Sequence, residues 1–301
     1  MTDIVIVNWN SGTYLNLCIQ SIFSRGNEPL VNKVFIIDNN SSDDSLEKID
    51  AHQKIEVLRN RGNNGFAKAC NQGFHLCTSE YVLLLNPDTQ LETSTIADCT
   101  SFMARRDDID ILGCRLLNDH GETTPSCSRF PKPSGYFFDA LGLSKIAPSV
   151  FKPALLMTDW NHRESRNVDQ VMGAFMFIRK NIFETIGYFD ERFFVYYEEL
   201  DFSNRLANSG GTSFYNRDIT TIHSGAGTTR HVKAFRLSLN LHSRLQYARK
   251  HFSKPGYILV WICTFFIEPI TRNIFLLLRG RLKEIGQVCK GYWLLIHNRS
   301  H

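Results

Sequence analysis

Short apolar runs, rich in β-branched residues, alternate along this chain with stretches whose apolar positions recur every three to four residues. IVIVN at residues 4–8, VFIID at 34–38, IEVLR at Ile55–Arg59 and YVLLL at Tyr81–Leu85 read as strands. Tyr14–Phe23, a segment beginning at Ser45, and Phe66–Leu76 read as the helices between them. The strands are apolar without alternation, which is the pattern of a sheet covered on both faces, and strand-helix-strand repeats join parallel neighbours. The pattern therefore predicts an α/β fold with a mostly parallel central sheet and ligands at the carboxyl ends of its strands.

After Asp88 the rhythm loosens. A helix at 94–105 and a strand at Ile111–Leu117 precede a Pro- and Gly-bearing connection at 118–167, a length that usually marks functional or mobile chain. Regularity returns with a strand at 171–179, a helix at 180–187, the acidic segment FFVYYEELDFSNR at 193–205 opening a helix to about Ser209, and a strand at 212–216 leading to His223. From about residue 231 the pattern changes in kind: bulky apolar and aromatic residues mix with Arg272, Arg279, Arg281, Lys283 and Lys290. Residues 257–278 are long enough to cross a bilayer, but Glu268, Pro269, Arg272 and Asn273 interrupt them. Helices lying in a membrane interface are expected there, with packing on the α/β domain as the alternative. The chain thus divides into an α/β domain, 1–230, and a helical C-terminal extension, 231–301.

Composition narrows the class rather than the function. With 43% hydrophobic and 21% charged residues in 301, the chain is a foldable globular protein and not a disordered one. A net charge of +4 spread without a basic block gives no reason to expect nucleic acid as a partner. Eight cysteines without a Cys-x-x-Cys pair are expected to be reduced thiols. The N-terminus enters an apolar strand without a basic leader or cleavage site, so catalysis is expected on the cytoplasmic side.

The polar residues collect where the sheet would bind a ligand. Asn8-Trp9-Asn10-Ser11 and Asp38-Asn39-Asn40-Ser41-Ser42-Asp43 follow the first two strands. Each can cap a helix, and side by side they also suit a nucleoside. Asn63-Asn64-Gly65 offers a permissive turn and free N–H groups near phosphate, while Gly-x-Gly-x-x-Gly and Gly-x-x-x-x-Gly-Lys are both absent. Asp88, at the end of a rigid apolar strand, suits a hard divalent cation, Mg²⁺ or Mn²⁺, that completes its shell with substrate phosphate. His223 can add a ligand. Glu198, Glu199 and Asp201 lie among four aromatics and before Arg205, an arrangement that can tune a general base or simply start a helix with an i,i+4 ion pair.

The ordered set NWNS, DNNSSDD, NNGFAKACNQG, LLLNPD, VMGAFMFIRK, GYFDERFFVYYEELD and HSGAGTTR resembles the family 2 inverting glycosyltransferases of the GT-A fold, over roughly residues 1–250, in particular bacterial rhamnosyltransferase-like members of O-antigen and polysaccharide assembly. The resemblance implies the GT-A (nucleotide-diphospho-sugar transferase) fold. It implies that Asn8, Asn10, Asp38 and Asn39 hold the nucleoside, that Asn64 and Gly65 lie near the diphosphate, and that Asn71 and Asn86 belong to the donor site. It puts Asp88 in the metal position of the Asp-x-Asp motif, His223 near metal and diphosphate, Gly173 and Ala174 beside the acceptor, and Glu199 in the base position, with Glu198 and Asp201 beside it. Asn86 stands where many relatives have an Asp, and Glu199 where the usual base is Asp. The implied reaction is inverting transfer of L-rhamnose from dTDP-L-rhamnose to a saccharide acceptor on a polyprenyl lipid carrier, by an enzyme peripheral on the inner face of the cell membrane. The alternatives are a UDP-hexose donor, a nucleotidyltransferase, or a degenerate sugar-binding subunit.

Overall fold

The computed structural model describes residues 1–24, 26–225 and 233–297. In chain order, strand β1 (Thr2–Asn8), helix α1 (Tyr14–Phe23), β2 (Val31–Asp38), β3 (Ile55–Arg59), α2 (Phe66–Leu76), β4 (Tyr81–Leu85), β5 (Thr89–Leu91), α3 (Thr95–Ala104) and β6 (Ile111–Leu117) lead into the long connection. That connection is not featureless: it carries β7 (Cys127–Ser128), α4 (Pro133–Ala140) and α5 (Leu143–Ile146), and ends at β8 (Arg166–Val168). Then follow β9 (Gln170–Val171), β10 (Phe175–Arg179), α6 (Ile182–Ile186), α7 (Glu198–Asn208), β11 (Ser213–His223), and the helices α8 (Lys233–His251), α9 (Lys254–Ile262), α10 (Glu268–Leu278) and α11 (Leu282–His297). A π-helical segment, Cys263–Ile267, joins α9 to α10.

Nine strands form one sheet in the order β3-β2-β1-β4-β10-β6-β11-β5, with β8 on β11. Strands β1 to β4, β6 and β11 run one way, and β5, β8 and β10 the other. Successive residues serve opposite faces. Ile4, Ile6, Ile36, Leu83 and Leu85 pack with α1 and α3, and Val5, Val7, Phe35, Ile37, Val82 and Leu84 pack with α2, α6 and α7. Both faces are core at the centre of the sheet, which is why the runs Ile4–Val7, Val34–Ile37 and Tyr81–Leu85 are apolar at successive positions. The chain reverses direction about β1, flanked by β2 and β4, so the carboxyl ends of these three strands open the crevice expected to hold ligand.

Two expected elements differ. No helix forms after Ser45. Ser45 Oγ donates to Asp43 Oδ1 at 2.6 Å, and Gly12 N donates to Asp43 Oδ2 at 2.7 Å. Short polar side chains thus satisfy this segment locally and fold it into turns, while Leu46 and Ile49, which produced the helical period, pack on the core from there. The strand expected at 171–179 is broken into β9 and β10 by a turn at Met172-Gly173-Ala174, whose Met172 N–H is taken by Ser126 O at 2.8 Å. All eight cysteines are free, and only Cys289 is exposed.

The boundary expected near 230 and 231 lies outside the described residues, as does most of HSGAGTTR beyond Gly225. The helices beyond it show two opposed ladders at four-residue spacing. Val260, Thr264, Glu268 and Leu276 are buried, whereas Ile258, Ile262, Phe266, Ile270, Ile274 and Leu278 are exposed, the last by 82%. A spacing of four drifts by about 40° per step in an α-helix, and the π-helical segment takes up part of that drift. Lys254–Leu278 is long and apolar enough to cross a membrane by length and composition. Its central Glu268, however, is buried against α8, paired with Arg244 at 2.5 Å.

Candidate active site

The first two strand ends are locked to each other. Asn8 Nδ2 donates to Asp38 Oδ1 at 2.8 Å, to Ser45 Oγ at 2.9 Å and to Ser41 Oγ at 3.1 Å, while Asn8 Oδ1 accepts from Ser11. Asp38 Oδ2 takes the Ser41 N–H at 3.1 Å, and Asn10 Oδ1 takes that of Ser42 at 2.7 Å. Asn39 reaches the third loop: its Nδ2 donates to Gly65 O at 3.0 Å and its Oδ1 accepts from Asn60 at 2.9 Å. Asn8, Asp38 and Asn39 are therefore spent largely on fixing the shape of the crevice floor. Asn10, half-buried, and Asn64, exposed, keep edges toward solvent.

Gly65 cannot be another residue. Its φ is +85°, and a Cβ there would stand 2.6 Å from Phe194 O and 2.7 Å from the Phe194 ring. Phe66 N donates to the same Phe194 O at 2.6 Å, so the third loop is seated on the chain that leads into α7. Asn71 does not join the crevice. Its amide is used on both sides by the Phe189 backbone, at 2.9 and 3.0 Å, and by Glu191.

Asn86-Pro87-Asp88-Thr89 turns from β4 into β5, closed by Thr89 N to Asn86 O at 3.1 Å. Pairing of His223 with Thr89 at the edge of the sheet brings the imidazole to the turn, with Nε2 3.4 Å from Asp88 Oδ1. Neighbouring ligands of an octahedral ion with bonds of about 2.1 Å lie about 3 Å apart, so this pair fits one edge of a divalent cation. Among the described residues no group of three or more His, Cys, Asp or Glu encloses a metal, so the remaining positions would fall to phosphate oxygens and water. Cys18 lies below the turn, its Sγ 3.6 Å from Asn86 O; burial and then the Asp88 charge push its thiol far up, which keeps it inert.

The acidic helix start is the third component. Tyr196 and Tyr197 both take left-handed backbone, φ +69° and +72°, and deliver the chain into α7 at Glu198. Such residues cost of order 1–3 kcal/mol each and mark functional sites. Glu198 is buried, 2% exposed, and Glu199 half-buried. Burial raises both carboxyls. The Glu199 charge raises Glu198 further, and the backbone at Glu199 and Gly173 restrains the rise at Glu199. The Oε2 atoms of both are buried without a protein partner. Asp201 stands apart, bonded to Lys250 at 2.6 Å, His251 at 2.7 Å and Arg205 at 2.9 Å, which ties α7 to α8.

Gly173-Ala174 joins the parts. Gly173 packs against Glu199, whose Oε1 would stand 3.5 Å from a Cβ at Gly173, while Ala174 O accepts from Asn86 N at 3.1 Å and Thr89 Oγ1 at 3.2 Å. One turn thus holds the carboxyl pair and the Asp88 turn in register. A nucleophile's proton can be taken at one side of this turn while an anionic leaving group is neutralised at the other. Sequence reasoning missed the supporting network of Ser45, Asn60 and Gln72. Asn60, directly after IEVLR, was the one visible signal, as a polar residue at a third strand end.

Comparison with known proteins gives the same outline. The family described as "Glycosyl transferase family 2" matches residues 3–187. A low-salt glycan biosynthesis hexosyltransferase of Haloferax volcanii is 27% identical, over 84% of this chain and 76% of its own length. An N-acetylglucosaminyl-diphospho-decaprenol L-rhamnosyltransferase of Mycobacterium tuberculosis is 24% identical, over 76% of this chain and 78% of its own. Among solved structures, the mannosyltransferase PcManGT of Pyrobaculum calidifontis in complex with GDP-Man and Mn²⁺ superposes with a TM-score of 0.59 at 12% identity, over 99% of this chain and 88% of that one. That likeness is one of fold.

Proposed function

The chain belongs to glycosyltransferase family 2, and from that premise we propose that it transfers L-rhamnose from dTDP-L-rhamnose to a saccharide carried on a polyprenyl diphosphate, with inversion at the anomeric carbon. The observation that carries the mechanism is the Gly173-Ala174 turn, which packs against Glu199 at Gly173 and bonds the Asp88 turn at Ala174. Asp88 and His223 would hold Mg²⁺ or Mn²⁺, which when bound neutralises the departing diphosphate. Glu199 takes the proton of the acceptor hydroxyl, whose oxygen attacks the anomeric carbon as the bond to the nucleoside diphosphate breaks. Burial and the Glu199 charge both oppose ionisation of Glu198, which keeps the negative charge of the pair at one. The left-handed turn at Tyr196 and Tyr197 fixes where the pair points. Asn10, Asn64 and the loop ends locked by Asn8, Asp38 and Asn39 receive the nucleoside and diphosphate.

The exposed ladder from Ile258 to Leu278 supports a peripheral position on the inner face of the cell membrane, because six large apolar side chains in one row are 40–82% exposed. Arg279, Arg281, Lys283 and Lys290 follow it in the chain, are exposed, and suit anionic headgroups. The rhamnosyltransferase relative names a lipid diphosphate acceptor, which a face of this kind would bring within reach. A donor panel of dTDP-L-rhamnose and UDP- and GDP-hexoses, assayed for nucleoside diphosphate release with a polyprenyl-diphosphate-linked saccharide, tests the reading. Turnover is expected with dTDP-L-rhamnose. Turnover with a UDP-hexose alone, in line with the hexosyltransferase relative, would overturn the choice of sugar and leave the reaction class standing.

A further inference from the structure

We propose that Arg244 and Glu268 are positioning residues for the carboxyl pair, holding the left-handed turn at Tyr196 and Tyr197 from the helical layer behind it. The inference rests on the reading of Glu199 as the base. Both residues are 7% exposed and pair at 2.5 Å, with Glu268 also taking Arg272 Nε at 2.8 Å. A buried ion pair is weak evidence for stability, since apolar replacement of both members is often neutral or better. What this pair touches gives it another role. The Arg244 guanidinium lies 5.5 Å from the centre of the Tyr136 ring, and Tyr136 OH donates to Tyr197 OH at 3.2 Å. Tyr197 is the residue before Glu198, and its ring packs 5.6 Å from that of Tyr247 on α8. Next to Arg244, Ser243 Oγ donates to Val195 O at 2.7 Å, so α8 grips the same turn at a second point.

The contact continues into the C-terminal helices. Tyr136, Tyr197, Leu200, Tyr247 and Val260 form one apolar cluster joining α4, α7, α8 and α9. Thr271 Oγ1, one turn beyond Glu268, donates to Ala140 O of α4 at 2.6 Å. A tyrosine keeps a left-handed backbone only where its surroundings leave it no alternative. Here those surroundings are supplied by Glu268 through Arg244 and Tyr136. Neither charged residue reaches the crevice, so each acts on the reaction through Tyr197.

The test compares the wild-type chain with the paired apolar variant Arg244→Met/Glu268→Leu and with Glu268→Gln, reading melting temperature, nucleoside diphosphate affinity, kcat and amide hydrogen exchange at residues 194–199. The paired variant is expected to melt within a few degrees of wild type and bind nucleotide within about twofold. Its exchange at 194–199 should speed at least tenfold and its kcat fall about tenfold. Wild-type exchange and kcat in a folded paired variant would show that the pair only fills the core and would overturn the proposal. Should the paired variant not fold, Glu268→Gln carries the test: faster exchange confined to 194–199 supports it, and unchanged exchange there contradicts it. Hydrogen exchange needs no turnover. An enzyme inactive with every donor would therefore refute the functional reading while leaving this one measurable.

Discussion

Glu198 and Glu199, neighbours in the chain, each bury an Oε2 atom without a protein partner, and the charge of Glu199 opposes the ionisation of Glu198. Burial raises both above the ordinary value of 4.5, Glu198 the further because Glu199 repels its ionisation. The deprotonated pair member is the working base, so kcat should fall as pH drops through a limb that lies above 4.5. Glu198→Gln keeps the side-chain volume and removes one of the two titrating groups. Transfer should then stay within about tenfold, and the second ionisation of the pair should vanish from the profile. Rates measured from pH 4 to 9 decide this: a wild-type profile flat to pH 4 contradicts it.

Asp201 serves stability. Burial opposes its ionisation, but hydrogen bonds from His251, Lys250 and Arg205 outweigh that and hold its carboxyl below the ordinary 3.8. A depressed folded pKa contributes stability that is present above the unfolded value and lost as pH falls through the folded one. Melting temperature should therefore decline below about pH 4 in the wild type. Asp201→Asn, which leaves these cations short of a buried partner, should cost about 3–5 kcal/mol at neutral pH. Unfolding by urea measures it, and a loss under 1 kcal/mol would count against the role.

Metal dependence should follow the Asp88 and His223 pair, 3.4 Å apart. Chelation should abolish transfer, Mn²⁺ or Mg²⁺ should restore it, and Asp88→Asn should lose both the activity and the response. His223→Ala should raise the metal concentration needed for half activity and keep part of the rate. Full activity in metal-stripped protein would remove the cation from the account.

The exposed apolar ladder is tested on vesicles containing anionic lipid. Phe266→Glu/Ile270→Glu, at positions 57% and 62% exposed, should release the protein from vesicles and leave turnover with a soluble acceptor within twofold. High salt alone should release only part of the wild type, since screening weakens the cations and not apolar insertion. Wild-type protein that fails to bind vesicles at all would refute the membrane face.

The parallel half of the sheet was legible because Ile4, Val5, Ile6 and Val7 are apolar in sequence and all buried, and only a sheet covered on both faces asks for that. Asp88 and Glu199 were legible as candidates, since each stands at the end of an apolar or aromatic run. The helix expected from Ser45 was not there, because the period of Leu46 and Ile49 is equally served by turns once Asp43 and Ser45 bond locally. The use of Asn71 as a clamp for Phe189 could not be read, since its partner lies 118 residues away. Glu268 looked like an interruption of an apolar span. It is the inner anchor of that helix, a role set by Arg244 and invisible without it.

The most direct measurement is single-turnover transfer by Glu199→Gln beside calorimetric binding of the nucleoside diphosphate. Nucleotide affinity should remain within about threefold of wild type, while the rate of transfer falls by about 100- to 10,000-fold, the usual cost of removing a general base. Near-wild-type transfer by Glu199→Gln, above all with the loss appearing in Glu198→Gln instead, would contradict the assignment of Glu199 as the base.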